Sequence, residues 1–395
     1  MGVVMETTAL EVEISDELRA MRDAVRRFTE RELGPWAEEI DRSGEIPAGL
    51  IELMQKNGYC GMRLPVEYGG GGLSLFQYCI ALEEFSRLHR AFTIAANYSS
   101  GMTPMAISRH GTAQQKVKYL RGFAAGKLKS AFALSEPEAG SDAASMRTRA
   151  EKRGDGWVLN GRKHYISGGH VADVIMVMAV TDAEKRARGG ITSFLVERGT
   201  PGFAVTRVDT TIATDSIKLA ELTFEDCALP ANAVLGEVGN GFKVAMGSLN
   251  DGRMSVSCSC VGAAESLVER SIEHAKVRRT FGKLLAERQA IQWMLADSAV
   301  DIAAARALCY DVLRRLEKGA NVGSAGSMCK LFCSEMVGRV ADRAVQIHGG
   351  MGVIRGFPVE RFYRDVRHYR VGEGASEIQR IVISRDLLRG VKIAD

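Results

Sequence analysis

Glu373 stands between two glycines in Val371-Gly372-Glu373-Gly374-Ala375-Ser376-Glu377-Ile378-Gln379-Arg380. A carboxylate so flanked sits on backbone free to approach a ligand, and Ser376, Glu377 and Ile378 after it read as the first turn of an apolar helix. Such a glutamate serves as a general base when a dry pocket lifts its pKa toward neutrality, because it can then take a proton from a weakly acidic carbon. Taken alone, these ten residues read more readily as a solvated glutamate in a Gly-rich turn, since glutamates are mostly exposed.

The sequence lacks the signatures of several other chemistries. Gly122-Phe123-Ala124-Ala125-Gly126-Lys127 is one residue short of a P-loop and lacks the hydroxyl residue after its lysine. No G-x-G-x-x-G follows a strand, since Gly349-Gly350-Met351-Gly352 has the wrong spacing and sits after a helix. The seven histidines contain no zinc-binding pair. Eight cysteines in 395 residues make no disulfide framework, and Cys329 with Cys333 or Cys258 with Cys260 lacks partners at metal spacing, so core thiols are expected. A net charge of +4 with both signs interspersed offers no nucleic-acid platform. Met1–Leu10 lacks the pattern of a signal or transit peptide, Glu6 stands where a myristoylation signal after Gly2 needs Ser or Thr, and no apolar run approaches a membrane span. A cytoplasmic protein, or a matrix protein without its presequence, is the expectation.

At 395 residues, 46 % apolar and 25 % charged, the chain is globular and longer than one ordinary core. Leu18, Met21, Val25 and Phe28 share a helical face, and further helices are expected near 50–56, 73–88 and 114–123. The period then shortens: 157–159, 174–180, 191–196, 203–208 and 219–224 are β-rich runs, with Asn160-Gly161 as the hairpin signal. After Gly241 helical patterning returns, with Ile291, Leu295, Ile302, Leu308, Val312 and Leu316 in one stripe. The expected fold is multidomain α+β: an N-terminal helical domain (1–128), a middle antiparallel β domain (129–240) and a C-terminal helical bundle (241–395).

Six phrases in order resemble one family. Ala133-Leu134-Ser135-Glu136-Pro137-Glu138-Ala139-Gly140-Ser141-Asp142, then Asn160-Gly161-Arg162-Lys163 with Tyr165-Ile166-Ser167, resemble the start of the β domain of acyl-CoA dehydrogenases. Arg278-Arg279-Thr280-Phe281-Gly282, Gln289-Ala290-Ile291, Gln346-Ile347-His348-Gly349-Gly350 and Glu373-Gly374 follow in that family's order, so the resemblance runs from about Ser15 to Leu388. It implies FAD held without a Rossmann fold: Leu134, Ser135 and Ser141 on the flavin ring, with Tyr165 and Ser167 beside it. Arg278, Thr280, Phe281, Gln289, Gln346 and Gly350 would bind the pyrophosphate and adenosine of a neighbouring subunit's FAD, which implies a homotetramer built as a dimer of dimers. Taken alone, Tyr165 reads as a strand aromatic and Arg278 as a solvated charge.

The same resemblance implies an acyl-CoA substrate contacted by Ser141, Arg253, Gly372 and Gly374, with Glu373 as the base and an electron-transfer flavoprotein as acceptor. Some relatives carry the base on the residue before the CoA-contacting arginine; here that residue is Gly252, which leaves Glu373 as the only matched candidate. Ala213-Thr214-Asp215-Ser216-Ile217 departs from the usual Gly-x-Arg-x-Ser, Ala375 replaces a common threonine, and Gly372 replaces a tyrosine. Space freed at Gly372 would favour a short branched, cyclic or aryl acyl group. The rivals are an enoyl-CoA reductase or an oxygen-reactive oxidase on the same scaffold, and a flavoprotein without catalysis.

Overall fold

Side-chain caps mark where helices begin. Ser15 accepts from the Leu18 N–H, and Ser74 with Gln77 and Thr112 with Gln115 form reciprocal capping boxes. The computed structural model describes residue 12 and residues 14–392, so the readings made on Gly2, Glu6 and Met1–Leu10 lie outside the described residues. Helices α1 (Asp16–Phe28), α2 (Gly34–Ser43), α3 (Ala48–Lys56), α4 (Leu75–Ser86), α5 (Arg90–Ser100), α6 (Met102–His110) and α7 (Ala113–Ala124) come first.

The middle of the chain is one sheet of β1 (Ser130–Ala133), β2 (Arg149–Arg153), β3 (Gly156–Ser167), β4 (Val174–Val180), β5 (Ile191–Glu197), β6 (Phe203–Asp209), β7 (Leu219–Leu229) and β8 (Val234–Leu235). Its order is β6-β7-β3-β2-β4-β5-β8, with β1 beside β4. Pairing is antiparallel except that β1, and a single residue pair of β2, run parallel to β4. The Asn160-Gly161 hairpin expectation fails, because β3 runs straight through it and the β2–β3 turn falls at Gly154-Asp155. Gly161 marks a register slip against β7, where a Cβ would lie 2.6 Å from the Thr148 Cα, and the Asn160 side chain bonds Asp226 instead.

The last third comprises α8 (Gly241–Val277), the two-residue strands β9 (Arg279–Thr280) and β10 (Lys283–Leu284), α9 (Gln289–Glu317), α10 (Ala325–His348), α11 (Pro358–Arg367) and α12 (Ser376–Leu388). Helix α4 joins the first third to the last. Its Phe76, Cys79 and Ile80 enter the core of α8, α9 and α10, while Tyr78, Ala81, Leu82 and Phe85 enter the N-terminal core. Gly262 permits this approach of α8, since a Cβ there would lie 1.9 Å from the Glu83 carbonyl oxygen. Buried on all sides, α4 still carries acids, and Glu83 is met by Arg306 and Tyr310 and Glu84 by Arg26. All eight cysteines are free and buried, with Cys309 and Cys333 sulfurs 3.4 Å apart. Among the described residues no helix is long and apolar enough to cross a membrane, and no cluster of His, Cys, Asp and Glu could hold a metal ion.

Candidate active site

The base loop lies between α11 and α12, and α8 and α10 wall it. Glu373 has φ 57° and Gly374 φ 89°, so the carboxylate is carried on left-handed backbone that costs a non-glycine residue about 1–2 kcal/mol. Two donors hold that conformation: Lys330 Nζ of α10 donates to the Gly374 carbonyl at 2.7 Å, and Gln379 Nε2 of α12 donates to the same oxygen at 2.8 Å and to the Glu373 carbonyl at 3.2 Å. Ser376, in the first turn of α12 as expected, donates to Glu335, which also pairs with Arg370 at 2.8 Å. The loop is therefore tied to α10 at two places.

Glu373 Oε2 is buried without a hydrogen-bond partner among the described residues. It rests against α8, where an ideal Cβ on Gly252 would meet Oε2 at 2.6 Å. Burial lifts the Glu373 pKa to about 7, against the opposing pull of Arg253 and Lys330. The same desolvation lowers Arg253, and it brings Lys330 down to about 8 although Cys260, Glu373 and Glu335 favour its charge. Arg253 Nη1 donates to Asn250 Oδ1 at 3.0 Å while its Nε is buried and unpartnered. A carboxylate titrating near neutrality, with one covered oxygen left unbonded, is equipped to accept a proton from a bound molecule.

The space expected to be free beside Gly372 is not open. A Cβ there would lie 3.0 Å from His368 Nε2, so the imidazole of the preceding turn already occupies that side. Arg90 above all, then burial and Lys330, push the His368 pKa down to about 3, which keeps the ring neutral. The Ala213–Ile217 departure has a structural use here: Thr214 N–H donates to buried Asp365 at 2.8 Å and Arg364 donates to the Ala213 carbonyl at 3.0 Å, tying the segment to α11.

The first β phrase is anchored from beneath by a lysine that sequence reading quoted without a role. Lys163, fully buried on β3, donates to the Leu134 carbonyl at 3.0 Å and pairs with Glu136 at 2.8 Å; Glu136 also accepts from the Arg147 and Thr148 N–H groups. The His164 N–H donates to the Ser135 carbonyl at 3.0 Å. With Lys163 and Ile166 inward, Tyr165 and Ser167 face outward; Tyr165, at φ 61° in the second register slip of β3, stacks on His164 at 4.0 Å and stays 56 % exposed. Ser141 is exposed on the loop after β1. The exposed tyrosine face and hydroxyls suit a flat polar ring, so these residues fit a flavin.

The third group is remote from the base. Arg278 caps the C-terminus of α8, 25 residues beyond Arg253, which is about 37 Å at helical rise. Gln346 lies 16 residues beyond Lys330 on α10, about 24 Å along that helix. Thr280 and Phe281 form the β9–β10 hairpin, Gln289 opens α9, and Gly350 follows α10. Phe281 has φ 48° and Gly282 φ 74°, a tight turn that holds the phenyl ring 98 % exposed.

Comparison with known proteins finds matches in all three parts of the chain, between residues 15 and 388. The models of the acyl-CoA dehydrogenase N-terminal, middle and C-terminal domains match residues 15–127, 131–227 and 239–388. The chain is 38 % identical over 377 residues to an acyl-CoA dehydrogenase of Bacillus subtilis (strain 168), covering 95 % of this chain and 99 % of that protein. It is also 38 % identical over 383 residues to an acryloyl-CoA reductase (NADH) of Anaerotignum propionicum, covering 96 % of each. The butyryl-CoA dehydrogenase structure from Megasphaera elsdenii superposes with a TM-score of 0.91 at 34 % identity, over 96 % of this chain and all of that one.

Proposed function

The chain belongs to the acyl-CoA dehydrogenase family of flavin-dependent oxidoreductases, and from that premise we propose that it converts an acyl-CoA thioester to the trans-2-enoyl-CoA with Glu373 as the base. The observation that carries this reading is the unbonded, buried Oε2 of Glu373, raised to about 7 and walled by Gly252. FAD, when bound, supplies the acceptor for the β-hydride, and Leu134, Ser135, Ser141, Tyr165 and Ser167 would hold its ring. Glu373 removes the α-proton and retains it on its carboxyl group. The backbone N–H of Glu373, which meets no acceptor among the described residues, donates to the thioester oxygen as charge develops there. Arg253, half-buried beside the base, orients the CoA portion, and Gly372 and Gly374 flank the base on the same loop.

Arg278, Thr280, Phe281, Gln289, Gln346 and Gly350 serve a neighbouring copy's FAD in a homotetramer. The separation of Arg278 from Arg253 and the outward Phe281 ring support this assignment, since one chain's two groups stand too far apart to close on one point. An electron-transfer flavoprotein would be the partner that takes up the electrons removed from the substrate. With His368 filling the side of Gly372, that glycine no longer argues for a branched acyl group. The test is anaerobic bleaching of the bound flavin by a panel of straight, branched and aryl acyl-CoA thioesters, in the parent and in Glu373→Gln. At least one thioester should bleach the parent quickly, and Glu373→Gln should bind FAD yet lose about 10²–10⁴-fold in the rate of bleaching. A flavin that no thioester reduces, or a variant that reduces at the parental rate, overturns the reading.

A further inference from the structure

Lys330 has no role in the family phrases, yet it is the fully buried side chain that reaches the base loop from α10. Its ammonium makes no ion pair among the described residues, and its one hydrogen bond goes to a backbone carbonyl. Burying an ammonium on such terms is costly, and a methionine would fill a similar volume without the desolvation penalty. We infer that Lys330 is the positioning residue of the base: by holding the Gly374 carbonyl it fixes Glu373 on its left-handed backbone with the carboxylate against Gly252. This rests on the reading of Glu373 as the base.

The geometry separates two contributions. Lys330 and Gln379 both donate to the Gly374 oxygen, and the turn needs both to hold its place, but only Lys330 brings charge. That charge opposes the burial that protonates Glu373, and Arg253 of α8 acts in the same sense. The other groups that face Lys330 are Cys260 of α8, which is neutral because burial pushes its thiol up, and Glu335 of α10, engaged with Ser376 and Arg370. His368 also feels the charge of Lys330, and its imidazole is neutral, held so above all by Arg90. Without Lys330 the carboxyl holds its proton to higher pH, and the turn is free to carry the carboxylate away from its seat.

The experiment is single-turnover flavin reduction across pH by the best thioester of the panel, using FAD-loaded parent, Lys330→Met, Lys330→Arg and Gln379→Leu. Lys330→Met should keep its flavin spectrum and bind substrate within about threefold. Its limiting rate should fall about 10–100-fold, the scale of a small misplacement of a reacting group. Its acid limb should move to higher pH. Lys330→Arg, which keeps charge and donor, should restore the limb, whereas Gln379→Leu should slow reduction with the limb unmoved. A Lys330→Met enzyme with the parental rate and limb overturns the inference, as does one that loses only melting temperature. Should Lys330→Met fail to fold, Gln379→Leu decides: reduction at the parental rate would show that anchoring the Gly374 carbonyl does not place the base. Failure of the base reading itself shows separately, as an active Glu373→Gln.

Discussion

A Cβ built on Gly252 would lie 2.6 Å from Glu373 Oε2 and 3.0 Å from its Cδ, so the carboxylate occupies the space that a side chain at position 252 would need. The glycine is therefore more than the absence of a second acid: it is the seat of the first. Since the contact is with α8 backbone fixed in a long helix, relief must come from the carboxylate. Gly252→Ala is expected to displace Glu373 and slow flavin reduction about 10²-fold, with FAD content unchanged. A parental rate in that variant, measured by stopped-flow bleaching, would show that the contact is slack.

The pH dependence follows from the raised carboxyl. Only the anion accepts a proton, so kcat/KM for flavin reduction should climb about tenfold per pH unit below pH 7 and level off above it. Stability moves the other way: a carboxyl whose folded pKa lies above its ordinary 4.5 binds protons more tightly in the native state, so stability falls as pH rises from 4.5 to 7. Thermal melts of parent and Glu373→Gln across that window should differ in slope, the variant lacking this loss.

Arg278→Ala should weaken FAD retention and oligomer stability together. Bound cofactor stabilises by mass action, so added FAD should restore part of the lost melting temperature. Gel filtration that shows an active, FAD-replete monomer would refute the assignment of Arg278 to a neighbouring site.

Lys163→Met should destabilise by about 3–5 kcal/mol, because it strands Glu136 as a buried carboxylate and releases the Leu134 carbonyl. Chemical denaturation measures the loss, and the flavin absorbance should shift as the Leu134-Ser135 segment loosens.

What the sequence reveals of the site is uneven, and the reasons are physical. Glu373 is visible because glycines bracket it and because Gly252 is empty of chemistry. Lys330 is invisible as a motif, though a signal exists: it stands in the apolar register of Cys333, Val337 and Ala341, where a lysine has no solvent to reach. The α–β–α order follows from the change of hydrophobic period, but α5 and α6 escape because helices buried on most sides show little periodicity. Strand β2, Arg149-Ala150-Glu151-Lys152-Arg153, hides because four of its five side chains are exposed and charged. Asn160-Gly161 misleads because a glycine demanded by close approach of Thr148 resembles one demanded by a turn. The notch at Gly372 was filled by His368, a neighbour four residues back that spacing alone does not aim.

Helix α4 has a consequence for synthesis. One of its faces, Phe76, Cys79 and Ile80, belongs to a core whose main partner, α8, begins at Gly241. About 165 residues separate them, which at roughly 5–20 residues per second is about 8–33 s of translation. During that interval the N-terminal helices can settle around Tyr78, Leu82 and Phe85, but the opposite face and the carboxylate of Glu83 wait without Arg306. The nascent chain thus carries an apolar strip and an unmatched acid out of the ribosome together, and burying that strip before its arginine arrives would cost the desolvation of an unpaired carboxylate.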